Sequence, residues 1–466
     1  MLFPTVQFAI FFCVVLTASW ALMPHPRAWK PFILTASYVF YAAANWRFCA
    51  LLAALTIANQ VAARLIHRAR DDPRRSKAIL AAAIVIDLGV LGVFKYYGFF
   101  VEDIGDLLDT VGLGLPLPLL SLALPIGVSF FTFQAISYVV DVRRRLLPPA
   151  SLLDFAIYLT FFPHLVAGPI VRAREFIPQL ATPRTRSHVP VGAAVTLIAV
   201  GLVKKVAIAD YLAREVVDPV FAVPQAYSAQ DVALAAYAYA AQIYCDFSGY
   251  TDIAIGLALL MGFVFPQNFD RPYIALSLRD FWRRWHMTLS RYLRDFLYIP
   301  LGGNRKGRAR TYVNLMITMT LGGLWHGAAW TFVLWGAMHG AGLSFEHAVG
   351  ERRLARVPKL VRWFVVLQFV VLGWILFRSP DLASVGEFLS RLAHPGAPTL
   401  WTVPVVLAVL AVFVVQAVPR DWRQRVRGWV QRRHPVTLGL GLASVILLVG
   451  ATVPSQGVPP FIYFQF

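Results

Sequence analysis

Charge is scarce in this 466-residue chain: Asp, Glu, Lys and Arg together make up 14% of it, where soluble domains carry about 25%. A soluble protein of this length would form several domains, each needing a charged surface that so few charges cannot supply. Acidic residues are the scarcer sign, 24 against 43 Lys and Arg. Cysteine is nearly absent. Cys13, Cys49 and Cys245 all lie in apolar surroundings with no CxxC pair, which excludes a disulfide framework and a cysteine zinc site. There is no P-loop, GxSxG elbow, HExxH motif or dinucleotide fingerprint, so coupling to bound ATP is not expected. No repeat of fixed period is visible, which weakens an inverted-repeat transporter reading.

What the chain has in abundance is apolar: 58% of residues are hydrophobic and the mean hydropathy is +0.62. Lipid turns an apolar exterior into the solvated one. Candidate spans cover residues 3–23, 32–53, 79–100, 119–140, 191–208, 232–264 (with a break expected near Gly249), 361–377, 401–418 and 436–453. With irregular segments added, about ten to twelve membrane-embedded helices are expected. The first stretch lacks a basic n-region and a clear cleavage site, and reads as a retained span rather than a signal peptide. The net charge of +19 sits in short clusters between apolar stretches, such as RLIHRARDDPRRSK from Arg64, RRR at Arg143, NRKGRAR from Asn304 and ERRLARVPKLVR from Glu351. Positive-inside loops are distributed in this way, whereas a nucleic-acid surface is not. Such loops favour anionic lipid headgroups and attract a polyanion such as coenzyme A.

Two segments do not read as simple spans. FWRRWHMTLSRYLRDFLY, from Phe281, interleaves Trp, Leu and Phe with Arg at helical spacing, which predicts a helix at headgroup level. Residues 311–347 are too long for one comfortable span and contain GGLWHGAAW, whose Gly322, Gly323 and Gly327 loosen a helix. A broken or re-entrant pair with His326 at its buried turn is expected. Irregular backbone at membrane depth must line protein or a cavity, so this geometry predicts a funnel reaching inward.

His326 is an ionisable side chain in an apolar segment, which reads either as a general base with a burial-lowered pKa or as a structural histidine bonded to a neighbouring helix. His286, flanked by Trp282, Arg283, Arg284 and Trp285, reads either as a funnel-wall residue or as part of a lipid-binding face. Asp246 and Asp252, in QIYCDFSGYTDIAIG, are expected to meet an arginine or to cap a helix break near Gly249. An orienting role towards a histidine is the alternative for them. The arginines from Arg279 to Arg294 could hold coenzyme A phosphates or lipid headgroups. Trp325, Trp330 and Trp335 read first as packing residues and second as a substrate platform.

Longer stretches carry a resemblance: LPIGVSFFTFQAISYVVDVRR from Leu124, FFPHLVAGPIVRAREFIPQL from Phe161, YCDFSGYTDIAIGLALLMGF from Tyr244, NFDRPYIALSLRDFWRRWHMTLSRYLRDFLYIPLGGNR from Asn268, GGLWHGAAWTFVLWGAMHG from Gly322 and the terminal PPFIYFQF. In this order, over essentially the whole chain, they resemble the membrane-bound O-acyltransferase family, and within it the bacterial alginate O-acetyltransferase branch. The resemblance implies an all-α polytopic membrane protein, a single transmembrane domain over residues 1–466 with core motifs at about 120–347 and C-terminal spans at 361–453. The implied architecture is a helical bundle around a central funnel with re-entrant and interfacial helices. It implies that His326 matches the family's active-site histidine and His286 its second characteristic histidine. Beside them, Trp325, Arg283, Arg284 and Asp246 are the candidates for substrate binding. No metal and no permanently bound cofactor are expected.

Acetyl-CoA is the implied acyl donor, approaching from the cytoplasm. The implied partners are a periplasmic acetyltransferase of the hydrolase-like type, an alginate- or cellulose-like exopolysaccharide, and membrane lipids. Nucleic acid is not among them, and the implied location is the bacterial inner membrane, multi-pass. The alternatives are a D-alanyl transferase for teichoic acids, a polysaccharide or lipid transporter without chemistry, and a scaffold for a synthase.

Overall fold

The computed structural model describes residues 3–110, 123–182 and 184–452, which are helical with no strand among them. The terminal PPFIYFQF, and the ends of the expected spans 119–140 and 436–453, lie outside the described residues. Among the described residues, five helical stretches are long and apolar enough to cross a membrane: Arg47–Arg68, Pro73–Val101, Val191–Ala222, Ala229–Leu260 and Lys359–Arg378. Shorter apolar helices run over Val6–Leu22, Val403–Ala417 and Val436–Leu447. The protein is thus an all-α polytopic membrane protein. The expected ten to twelve embedded helices take in shorter and broken segments as well.

The chain divides into two compact units, Met1–Pro190 with Leu257–Pro266, and Val191–Gly256 with Gln267–Phe466. In the first, α1 (Val6–Leu22), α2 (Pro26–Asn45), α3 (Arg47–Arg68) and α4 (Pro73–Leu91) are followed by a π-helical turn, Gly92–Tyr96, and α5 (Tyr97–Thr110). Their starts follow ordinary capping chemistry. Pro26 and Pro73 occupy first turns, and Asp72 accepts from the backbone N–H groups of Arg74 and Arg75. The expected span 32–53 is instead divided between α2 and α3. Asn45 Oδ1 accepts from Arg47 N–H at 3.1 Å, a local bond that competes with the helix ladder. Then come α6 (Val128–Arg143), α7 (Leu152–Thr160) and α8 (Ala173–Ala181). His164, fully buried, sits among Tyr158, Phe161, Phe176 and Phe265.

The second unit begins with α9 (Val191–Leu202), which continues through a π-helical stretch, Val203–Ala209. The next long helix, α10 (Ala229–Leu260), runs through Gly249 without the expected break. Gly249 serves close approach instead: a Cβ there would lie 2.8 Å from Gly201 O, and one at Gly201 would lie 2.6 Å from Gly249 O. The backbones of α9 and α10 touch at this pair, a small-residue contact of the kind that holds helices together in lipid.

The run from Phe281 to Tyr298 is not one interfacial helix. It is split into α11 (Leu278–Trp282) and α12 (Met287–Leu293), the latter followed by a π-helical turn. Trp282, Trp285 and His286 are buried rather than turned to lipid. The break expected at His326 is present. The first arm of this hairpin, α13 (Gly307–His326), ends on the histidine, and α14 (Trp330–Val349) returns along it. The turn between them is Gly327, Ala328 and Ala329. Glycine makes the hairpin possible, since a Cβ at Gly323 would lie 2.2 Å from Phe332 O and one at Gly336 would lie 2.3 Å from Met319 O. Gly336→Ala is therefore expected to lower thermal stability in detergent by about 1–3 kcal/mol through overpacking. Gly322→Ala, whose Cβ meets only the flexible end of Leu293 at 3.0 Å, should stay near wild type in the same melting measurement. The unit closes with α15 (Lys359–Arg378), α16 (Leu382–Arg391), α17 (Val403–Ala417), α18 (Arg420–Gln431) and α19 (Pro435–Thr452).

Candidate active site

The second unit brings His286 and His326 together. Their ring centroids are 6.4 Å apart, and the two residues are 0% and 3% exposed. His326 is held at the end of α13 by three edge-on aromatic contacts, with Trp325 at 5.0 Å, Trp335 at 5.2 Å and Phe377 at 5.3 Å. This sheath fixes the imidazole orientation and excludes water around it.

His286 is placed by a different device. Its backbone is left-handed, with φ 41° and ψ 54°, a conformation that costs energy for any side chain but glycine. Asn268, fully buried in the preceding irregular segment, holds it there. Asn268 O accepts from Met287 N–H at 2.9 Å, and Asp270 N–H donates to Arg284 O at 2.9 Å. Asn268 Oδ1 then receives three bonds, from Thr288 N–H at 3.1 Å, Thr288 Oγ1 at 2.9 Å and His286 Nδ1 at 3.1 Å.

This arrangement fixes the tautomer. A backbone N–H can only donate, so the Asn268 atom it meets is the oxygen, and the His286 nitrogen facing the same atom must carry a proton. Burial, with Phe247 edge-on at 4.6 Å, pushes the His286 pKa down to about 3. The ring is therefore neutral near pH 7, protonated at Nδ1, with a lone pair on Nε2. Nε2 is buried and has no hydrogen-bond partner among the described residues.

A third histidine joins the cluster. His339 on α14 lies 4.9 Å from Trp335, and its Nδ1 accepts from Trp282 Nε1 at 3.2 Å. Since an indole nitrogen only donates, the His339 proton sits on Nε2. Both His339 Nε2 and Trp335 Nε1 are buried donors without an acceptor among the described residues. Such orphaned groups are rare in native interiors. Here an acceptor on His286 and donors on Trp335 and His339 are left unsatisfied within one cluster of aromatic rings, which suits a polar reacting group.

The other residues assigned from the sequence have different neighbours. Trp325 is buried against His326 and lies 6.2 Å from His286. Arg283 is exposed. Arg284 is bonded to Asp280 at 2.8 Å and reaches Asp270 O at 3.3 Å, so it braces the loop that carries His286. Asp246 and Asp252 meet lysines rather than an arginine, and cap no break. Lys205 Nζ lies 2.5 Å from Asp246 and 2.7 Å from Asp210, and Lys204 Nζ lies 2.7 Å from Asp252. Asp246 is one residue from Phe247, the ring packed on His286. Asp246→Asn leaves the Lys205–Asp210 pair in place but takes a charged acceptor from the buried ammonium, and is expected to lower the melting temperature at a cost of about 1–3 kcal/mol. A raised KM at unchanged melting temperature would instead make Asp246 a substrate contact.

Asn268 and His339 are not among the residues the sequence pattern singles out, and Trp335 is read there first as a packing residue. His339 carries the same signal as His326, an imidazole within an apolar helix. Asn268 carries none, because its role depends on a loop closing over a residue eighteen positions away.

The profile of the membrane-bound O-acyltransferase family matches residues 87–378. The chain is 40% identical over 458 residues to the probable alginate O-acetylase AlgI of Pseudomonas putida, covering 93% of this chain and 94% of that protein. It is 34% identical over 398 residues to the peptidoglycan O-acetyltransferase of Helicobacter pylori, covering 79% and 73%. Similarity to the teichoic acid D-alanyltransferase of Streptococcus thermophilus is 32% over 237 residues, 48% of this chain and 57% of that one. With a family match that takes in the helices around both His286 and His326, the chain belongs to the membrane-bound O-acyltransferases and is an acyltransferase of the membrane.

Proposed function

We propose that this acyltransferase moves acetyl from acetyl-CoA to a hydroxyl, for O-acetylation of an exopolysaccharide such as alginate or cellulose. The observation that carries the chemistry is the buried imidazole pair, with His286 locked as a lone-pair acceptor at Nε2. His326 acts as general base. It takes the proton of the acceptor hydroxyl as that oxygen attacks the thioester carbonyl. His286 Nε2 accepts a hydrogen bond from a second, non-reacting donor of the acceptor molecule and so aims the attacking hydroxyl at the carbonyl. Trp335 Nε1–H is a buried donor for the oxygen that gains charge. Collapse of the tetrahedral intermediate breaks the C–S bond, and the proton on His326 passes to the departing thiolate. The products are an ester and free coenzyme A.

The donor enters from the cytoplasmic side of the bacterial inner membrane, and the acceptor is either the polysaccharide or a serine of a periplasmic hydrolase-like partner. Basic loops outside the apolar helices support the first assignment by attraction for the coenzyme A phosphates. The longer match to O-acetylating relatives than to the D-alanylating one favours acetyl as the group transferred. The test is a deletion strain complemented with the wild-type chain. Polymer yield is expected to stay constant while its O-acetyl ester content disappears on deletion. Loss of the polymer itself would overturn the proposal in favour of a scaffold or transporter.

A further inference from the structure

Helix α18 has a composition unlike its neighbours. The helices on either side, α17 (VPVVLAVLAVFVVQA) and α19 (PVTLGLGLASVILLVGAT), contain no charged residue. Between them α18 reads RDWRQRVRGWVQ and leads into Arg432 and Arg433. Arg420, Arg423, Arg425, Arg427, Arg432 and Arg433 thus stand against a single acidic residue, Asp421. The helix packs on α9 within the second unit, yet Trp422, Val426 and Trp429 remain 64%, 49% and 56% exposed.

At 100° per residue these three positions share one stripe, and just past the helix end the Arg433 guanidinium lies 3.8 Å over the Trp429 ring. Large apolar side chains at the surface of a basic helix serve no purpose in water. They fit the boundary between acyl chains and headgroups, where indole bodies enter the acyl region and guanidiniums stay at phosphate level. Two charge-free helices at its ends hold α18 to the edge of the hydrocarbon layer, because so many arginines cannot enter it.

We propose that α18 is a docking surface for anionic phospholipid headgroups, with Trp422, Val426 and Trp429 inserted at the acyl boundary and Arg425, Arg432 and Arg433 paired to lipid phosphates. The excess of positive charge selects the occupant: zwitterionic lipid satisfies the tryptophans but not the guanidiniums. This inference does not depend on the identity of the acyl group or acceptor.

The test uses full-length protein in nanodiscs of phosphatidylcholine alone and of phosphatidylcholine with phosphatidylglycerol. Amide hydrogen exchange is read over residues 420–431. Exchange is expected to slow by about tenfold or more in the anionic discs at low salt, and to lose that gain in concentrated salt. The triple variant Arg425→Gln, Arg432→Gln, Arg433→Gln should lose the gain, while Trp422→Ser with Trp429→Ser should lose protection in both discs. Unchanged exchange in α13 and α14 reports an intact fold. Should a variant disturb those helices, the wild-type comparison of the two discs at low and high salt decides alone. Equal protection in the two lipid compositions overturns the proposal, as does a phosphatidylglycerol gain that survives the triple variant.

Discussion

His326→Ala, at normal abundance in the membrane, is expected to cut acyl transfer by about 10²–10⁴-fold, the range lost with a general base. The protein should still fold. His326 lies in a sheath of Trp325, Trp335 and Phe377, and its removal leaves a cavity among rings rather than an unpaired charge. A cavity of that kind costs about 2–5 kcal/mol at most. Substrate affinity should change far less than turnover, because the proton transfer is made only in the transition state. Purified variant and wild type, compared for turnover and for melting temperature, separate the two effects. A variant that melts normally and turns over normally would remove His326 from the chemistry.

The second large effect is expected at Asn268, a residue that touches neither the donor nor the acceptor in the proposed reaction. Asn268→Ala strips one acceptor from three buried donors, Thr288 N–H, Thr288 Oγ1 and His286 Nδ1. An unsatisfied buried group costs about 1–3 kcal/mol, so both the left-handed turn at His286 and its tautomer are lost together. Stability and turnover should fall in parallel.

Asn268→Asp is the informative partner. Its carboxylate still accepts all three bonds, so the turn should survive. A negative charge beside the imidazole favours the protonated ring and raises the His286 pKa from about 3. Protonated His286 has no lone pair on Nε2, so activity is lost as pH falls through that raised pKa. The acid limb of the pH–rate profile should therefore move to higher pH in Asn268→Asp. An acid limb that does not move, at normal melting temperature, would leave His286 as a packing residue.

Much of this site was legible before any coordinates. GGLWHGAAW pointed to a helix break at a histidine, because three glycines loosen the helix in a segment too long for one span. The broken hairpin α13–α14 is there, and its glycines allow the two backbones to touch at Gly323 and Gly336. Gly249 misled for the same reason in reverse: glycine in a long apolar helix signals either a break or a close approach, and only the neighbouring Gly201 decides which. The run from Phe281 has the period of an amphipathic helix, yet it breaks at His286, because Asn268 pairs with the backbone and side chains of residues 286–288. That pairing is tertiary, and no local pattern contains it. The partners of Asp246 and Asp252 were illegible in the same way. Lys204 and Lys205 reach them from another helix, across more than forty residues of chain.

Transfer of labelled acetyl from acetyl-CoA by purified protein in nanodiscs tests the central claim most directly. Wild type and His326→Ala are run side by side with the acceptor polysaccharide and the periplasmic partner added. The account predicts label leaving coenzyme A, with free thiol released in equal amount, only with the wild-type protein and only when acceptor is present. Equal transfer by both proteins, or no release of thiol by correctly folded wild type, would contradict it.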